Sequence, residues 1–367
     1  MRVTSKHYRE LGKILVQTAF SAGMLAWLFH EVNWRAVPLQ LLAAKPGWIL
    51  AGAAFWLLSI VPSTLRWGVV LHALNRQGPA SLKADQHFRD RASWGWGLWW
   101  LLRINWVGEF FNQILPGAVS GDVLRAYYTR HMADTGTLAL AAVFGDRFIG
   151  MGSALLVAVT AYLLGGLVPG LLDGSHLAGG ALADGGFALQ ALPYHGGVVI
   201  LLASAYLTIV TLIVSPLLAP LGNFGTLGRK LHEIRLAMRA ILRQYGSLAL
   251  AVLASVTIQG LSIAAFWAMA GSLGSPPEML AIWMVWPVIN LLLAVPISAA
   301  GWGLREGLVV FTFTHLGMTA AQSLTASVLY GLVQMVTTLP AVPIWLTLRK
   351  RGLAGANGVG TRPERTD

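Results

Sequence analysis

The chain has 367 residues, of which 56% are hydrophobic and 11% charged, against roughly 25% charged in an ordinary soluble domain, so a soluble fold is excluded. A mean hydropathy of +0.63 with 15 Trp, 41 Gly and 16 Pro fits a membrane chain, where interfacial Trp and intramembrane Gly and Pro are common. The absence of cysteine excludes disulfides and thiolate metal sites, and the net charge of +11 points to lipid headgroups and not to nucleic acid, because the basic residues lie in short loops between apolar runs.

In chain order, the N-terminus MRVTSKHYRELGK carries four basic residues and one acid, which predicts a cytoplasmic start. Spans of about 20 apolar residues, the length that crosses a bilayer, are predicted at 14–30 and 47–66. No cleavage site follows the first run, so it reads as a retained span. Residues 75–103 hold Arg76, Lys83, Arg89, Arg91 and Arg103 and read as cytoplasmic, with WGWGLWW (94–100) as an interfacial belt. The apolar stretch 104–120 is broken by NQILPGAVSGD, and a third span is predicted at 138–165. No Lys or Arg occurs from Phe148 to Gly228, so the Gly-rich loop at 165–197 belongs to the far side.

A fourth span at 197–219 returns to GRKLHEIRLAMRAILRQY, with five basic residues and one acid. There Leu227, Leu231, Ile234, Met238, Ile241 and Tyr245 recur at steps of three and four, which predicts an amphipathic helix on the cytoplasmic leaflet. A fifth span at 247–272, a second broken stretch at 280–317 and a last span at 323–348 lead to the basic Arg349-Lys350-Arg351. The expected architecture is therefore all-α and integral to the membrane. It is one transmembrane domain, residues 1–350, with about six full spans, two broken or re-entrant hairpins, and a disordered cytoplasmic tail at 351–367.

The halves, about 10–165 and 197–350, match each other. LPGAVSGDVLR (115–125) and VPISAAGWGLR (295–305) share Pro, four residues, Gly, three residues, Arg, at a constant offset of 180. Three crossings per half would invert the second half, a recurring plan for secondary transporters. Pro116 and Pro296 break helices, and Gly117, Gly121, Gly301 and Gly303 permit the reversal. Arg125 and Arg305 then fall toward the membrane interior, where charge is costly and usually functional. Arginine also matches phosphate in bidentate fashion. The same residues fit plain interfacial loops with snorkelling arginines, or structural pairs Asp122–Arg125 and Arg305–Glu306.

FFNQILPGAVSGDVLRAYY (110–128), GDRFIG (145–150) and VPISAAGWGLREG (295–307) together resemble the lysylphosphatidylglycerol synthetase transmembrane, or flippase-like, family over about residues 10–350. Ser120 and Ala300 stand where that family often has glycine. The resemblance implies a domain that moves a phospholipid or lipid-linked molecule between leaflets. The soluble aminoacyltransferase domain of two-domain relatives is expected to be absent here, which leaves lipid synthesis to a possible separate enzyme.

The candidate substrate-binding residues are thus Arg125 and Arg305 for a lipid phosphate, Asp122 and Glu306 beside them, Asn112 at the hairpin entry, and the pair Asp146-Arg147. Asp146-Arg147 reads equally as a cavity lining or as the cytoplasmic edge of the third span. Arg66 reads as a snorkelling anchor, and Glu109 as either cavity lining or a partner of Arg103. No catalytic residue, metal site or cofactor is expected: nucleophile elbow, His-Glu-x-x-His pair and ATP-binding loop are all missing. An ion gradient or the lipid gradient would then drive transport. A membrane enzyme acting on a lipid headgroup is the alternative, and a non-transporting scaffold a third. The predicted location is a bacterial inner membrane with both termini cytoplasmic, and the predicted partner an anionic phospholipid.

Overall fold

The computed structural model describes residue 19 and residues 21–24, 26–77, 94–115, 120–129, 136–167, 187–215, 225–274, 276–294 and 302–357. Helices make up the regular structure of these residues, with no strand among them. In chain order they are α1 (described to residue 31), α2 (Ala36–Ala43), α3 (Pro46–Gln77), α4 (Trp94–Ile114), α5 (Ser120–Thr129) and α6 (Gly136–Leu167). The second set is α7 (Phe187–Val214), α8 (Gly225–Leu242), α9 (Tyr245–Ser272), α10 (Met279–Leu293), α11 (Leu304–Thr314), α12 (Ala320–Thr338) and α13 (Ala341–Asn357).

Four stretches are long and apolar enough to cross a membrane: Pro46–Leu74, Ala139–Leu164, Gly197–Val214 and Tyr245–Ser272. The pair α12–α13, bent by 41° where Pro340 removes a backbone donor, makes a fifth when counted as one span. These correspond to five of the six expected spans. The remaining one, 14–30, is described at residue 19 and at residues 21–24 and 26–30, where it is helical. Three boundaries move. α4 begins at Trp94, so Arg103 and the end of the Trp cluster are helical; α7 begins at Phe187, ten residues before the expected start; α13 continues past residue 351 to Asn357.

α3 and α9 form the central antiparallel pair. At one end the Lys45 backbone N–H donates to Ser272 O at 3.0 Å. At the other, Gln244 Nε2 donates to Ala73 O at 2.7 Å. Between them Gly52 lies against Ala265, Ala268 and Met269 so closely that an added methyl would collide. Such small-residue contacts let membrane helices approach where no hydrophobic effect drives them together. The Ala73–Gln244 end adjoins the last turn of the basic α8, with Arg239 and Arg243.

The short helices hang on this pair. α4 runs antiparallel to α3, with Asn105 Nδ2 donating to Thr64 Oγ1 at 3.0 Å. α5 folds back along α4, and the start of α6 packs Ala141 and Ala142 on Val70, Leu74, Met238 and Ile241. The α4–α5 hairpin therefore opens toward the basic end. α10 follows the other end of α9, and the start of α12 packs Ala321 and Leu324 against α1 and α2, so the α10–α11 hairpin opens toward the opposite end. Helix neighbours alternate accordingly: α4 touches α12 and α10 touches α6, while α3 meets α12 and α9 meets α6.

α8 corrects the expectation of a helix lying on lipid. Its Ala237, Met238 and Ile241 are buried against α3, α6 and α9, and Arg235 is buried and bonded to Ser215 O. Leu231 and Tyr245 alone of the apolar stripe are exposed. Leu227 has no described side chain.

Candidate functional site

The expected hairpin residues Pro116, Gly117, Pro296 and Gly301 lie outside the described residues. Gly121 and Gly303 are described, and both are needed as glycine. Gly303 has φ of +83°, a region that costs other L-residues roughly 1–2 kcal/mol. Its N–H donates to Glu306 Oε2 at 2.7 Å, which fixes the first turn of α11. Gly121 sits on the backbone of Gly108, and a Cβ there would come within 2.6 Å of the Gly108 carbonyl carbon. Asn112 Oδ1 accepts the Gly121 N–H at 2.8 Å, and Ser120 Oγ donates to Phe111 O at 2.9 Å. Asn112 is therefore a staple of the hairpin. Gly121→Ala is expected to open the hairpin at a cost of about 1–3 kcal/mol, read as a lower melting temperature in detergent micelles.

Three arginines and three carboxylates interlock where α3, α4, α5 and α6 meet. Arg66 grips Asp146 with Nε at 2.7 Å and Nη2 at 3.1 Å, and reaches Ser255 Oγ of α9 at 3.2 Å. Arg125 Nη2 donates to Glu109 Oε1 at 2.8 Å, and its Nη1 lies 3.5 Å from Asp146 and 3.7 Å from Asp122. Asp122 in turn accepts from Arg147 Nε at 2.7 Å and Nη2 at 3.1 Å. The group is charge-balanced, which is the condition for keeping six ionised groups out of water. Glu109 and Arg147 are its accessible edge, with side chains 25% and 43% exposed, whereas Arg125 is 2% exposed.

The sequence expectations divide here. Asp146 and Arg147 both fall within the Ala139–Leu164 stretch. They are not a pair with each other; each takes its partner from another helix. Asp122 binds Arg147 more closely than Arg125. Arg66, expected as a snorkelling anchor, is a buried partner of Asp146, because Asp146 and Ser255 supply acceptors that headgroups would otherwise provide. Glu109 takes Arg125, and not Arg103, as its partner.

The second group is smaller. Arg305 donates through Nε at 3.0 Å and Nη2 at 2.8 Å to Glu306 Oε1, which also accepts from Ser327 Oγ at 3.3 Å. The guanidinium stands 4.9 Å from the Trp302 ring, a cation–π contact. Arg305 Nη1 donates to Gln334 Oε1 at 3.2 Å, and the same oxygen accepts from Gln113 Nε2 of α4 at 3.4 Å. Gln334 thus joins Arg305 to the helix that carries Glu109, the partner of Arg125.

Each inner arginine also has a glycine beneath it. A Cβ on Gly108 would lie 3.1 Å from Arg125 Nε, one on Gly150 would lie 2.8 Å from Arg66 Nη1, and one on Gly331 would collide with Arg305 Nη2. Arg125 Nε has no hydrogen-bond partner, an unmet donor in a buried anion-facing group. Gly331→Ala is expected to push the Arg305 guanidinium off Gln334, read as a lower melting temperature in detergent micelles. Gln113, Gln334 and these glycines were not singled out by sequence, whereas Arg66 was read as a snorkelling anchor and Glu109 as cavity lining or a partner of Arg103. The available signal was a polar residue set in an apolar run, which marks all four side chains equally and names no partner.

Among the described residues no cluster of His, Asp or Glu is arranged to hold a metal ion. No curated protein matches the chain. The family model described as the lysylphosphatidylglycerol synthase TM region matches residues 14–341. With its apolar helices long enough to span a bilayer, the protein is membrane-embedded and helical, and it belongs to the lysylphosphatidylglycerol synthase TM region family.

Proposed function

We propose that this protein moves an anionic phospholipid or lipid-linked molecule between leaflets, holding its phosphate at Arg125 and Arg305. The observation that carries the reading is the opposed pair of hairpins. α4–α5 opens toward one end, α10–α11 toward the other, and their arginines are linked through Glu109, Gln113 and Gln334. The exchanged neighbours of α4 and α10, and of α3 and α9, support two related halves in inverted orientation with re-entrant hairpins, as in transporters that rock one half against the other. The basic α8 at the Ala73–Gln244 end supports a cytoplasmic assignment for that end, and the reading extends it, from the basic residues near both termini, to both termini in a bacterial inner membrane.

Both arginines are already paired with carboxylates, so a phosphate would exchange with Glu109 and Glu306 and not fill an empty site. Such exchange returns the arginines to neutral pairing after release, which keeps a tight anion site from becoming a trap. No catalytic step is part of this reading.

Reconstitution of the pure chain into vesicles with fluorescent phosphatidylglycerol tests it. The expected result is loss of the inner-leaflet reservoir, seen as dithionite bleaching that passes the half-way plateau of empty vesicles. A plateau unchanged for every anionic lipid would defeat the transport reading. A chemically altered lipid by mass spectrometry would favour the enzyme instead.

A further inference from the structure

We infer that four side-chain amides brought to one level at the centre of the bundle form a recognition site for a hydroxyl-rich, uncharged lipid headgroup such as a polyol or sugar. The inference rests on the phosphate reading of Arg125 and Arg305 and adds the chemistry attached to that phosphate.

The level is fixed by two contacts. Ser262 Oγ of α9 meets Tyr330 Oη of α12 at 3.0 Å and accepts from Trp286 Nε1 of α10 at 2.8 Å. α10 and α12 both run antiparallel to α9, so a step back along α9 matches a step forward along the other two. One turn from the Ser262 layer, helical rise puts Gln259, Asn290 and Gln334 at a common height along the bundle. Asn290 Nδ2 lies 3.5 Å from Gln259 Oε1. Gln113 of α4 completes the level with Nε2 at 3.4 Å from Gln334 Oε1. All four are partly accessible, in contrast to the fully buried Trp286 beside them.

The structural alternative is that these amides only staple helices, a common use of Asn and Gln in membranes. Their mutual contacts, at 3.4 and 3.5 Å, are at the outer limit of hydrogen bonding. By comparison, the hairpin staple from Asn112 is 2.8 Å long. Long, accessible amide pairs retain donors and acceptors for a guest. An amide presents one carbonyl acceptor and two donors, which matches hydroxyls that both give and accept. Turning an amide over exchanges the two, so the lining adapts to either arrangement. Being uncharged, it does not compete for the phosphate, and Arg305 reaches the level through its bond to Gln334.

Vesicles carrying the full chain and either fluorescent phosphatidylglycerol or fluorescent phosphatidic acid test this, since the lipids share a phosphate and differ in the glycerol headgroup. Phosphatidylglycerol should cross at least about ten times faster, because a site built for hydroxyls discriminates against a ligand lacking them. Gln259→Met and Asn290→Leu, made separately, should bring that rate down to the phosphatidic acid rate and leave the latter unchanged. The unchanged lipid serves as the folding control, and the comparison in the unmutated protein needs no variant. Equal rates for the two lipids in the unmutated protein would overturn the inference while transport stands.

Loss of both lipids together in a variant of normal melting temperature would also overturn it. Should neither lipid cross, the transport reading falls and binding decides. Melting-temperature stabilisation by dihexanoyl phosphatidylglycerol beyond that by dihexanoyl phosphatidic acid supports the amide site. Equal or absent stabilisation rejects it.

Discussion

Asp146→Asn is expected to destabilise the protein by about 3–5 kcal/mol, the cost of leaving one member of a buried ion pair without its partner. Asp146 is 1% exposed and accepts from both arms of Arg66, with Arg125 at 3.5 Å. An asparagine there offers one acceptor instead of two and no countercharge, so two guanidiniums lose compensation at once. The measurement is thermal or denaturant unfolding in micelles beside Glu109→Gln, whose carboxylate is 25% exposed and holds a single bond. That variant should lose much less. Replacing the closer pair together, Arg66→Met with Asp146→Leu, should recover a large part of the loss, since apolar residues often substitute for a buried pair without penalty. Non-additivity of that size is the signature of direct coupling. An Asp146→Asn protein within about 1 kcal/mol of the parent, the range of exposed ion pairs, would mean that the network is wet and adds little.

The second large effect is on transport. Arg305→Gln should lower the rate by at least about a hundredfold, the scale of losing a charge-assisted bidentate contact of about 3 kcal/mol. The single variant also strands Glu306, which is 4% exposed, so its rate alone would not separate binding from folding. Arg305→Gln with Glu306→Gln removes both charges. The double variant is expected to melt near the parent temperature and remain inactive. Recovery of transport in the double variant would assign Arg305 a purely structural role, as a scaffold reading requires.

Much of this architecture was legible before any coordinates. Runs such as 47–66 and 247–272 can satisfy their backbone polar groups only as helices in lipid. Helix limits fall within the two interrupted stretches, after Ile114 and after Leu293. Other helix limits were less legible. WGWGLWW reads as interface by composition, yet it starts α4, because aromatic residues suit both a headgroup belt and a helix face.

The sequence by itself determined that this is a helical membrane protein, that two helical hairpins interrupt it, and that Arg125 and Arg305 end inside. These are properties of contiguous residues, governed by hydropathy, backbone geometry and the cost of intramembrane charge. Only the tertiary structure decided the partners. Asp122 bonds Arg147 more tightly than the neighbouring Arg125, Arg66 turns inward to Asp146 from 80 residues away, and amides pair across helices, Gln113 with Gln334 and Asn290 with Gln259. Partner choice depends on how helices cross and in what register they lie. That is set by where glycines let backbones approach and by the demand that each buried charge be neutralised nearby, neither of which a single stretch of sequence displays.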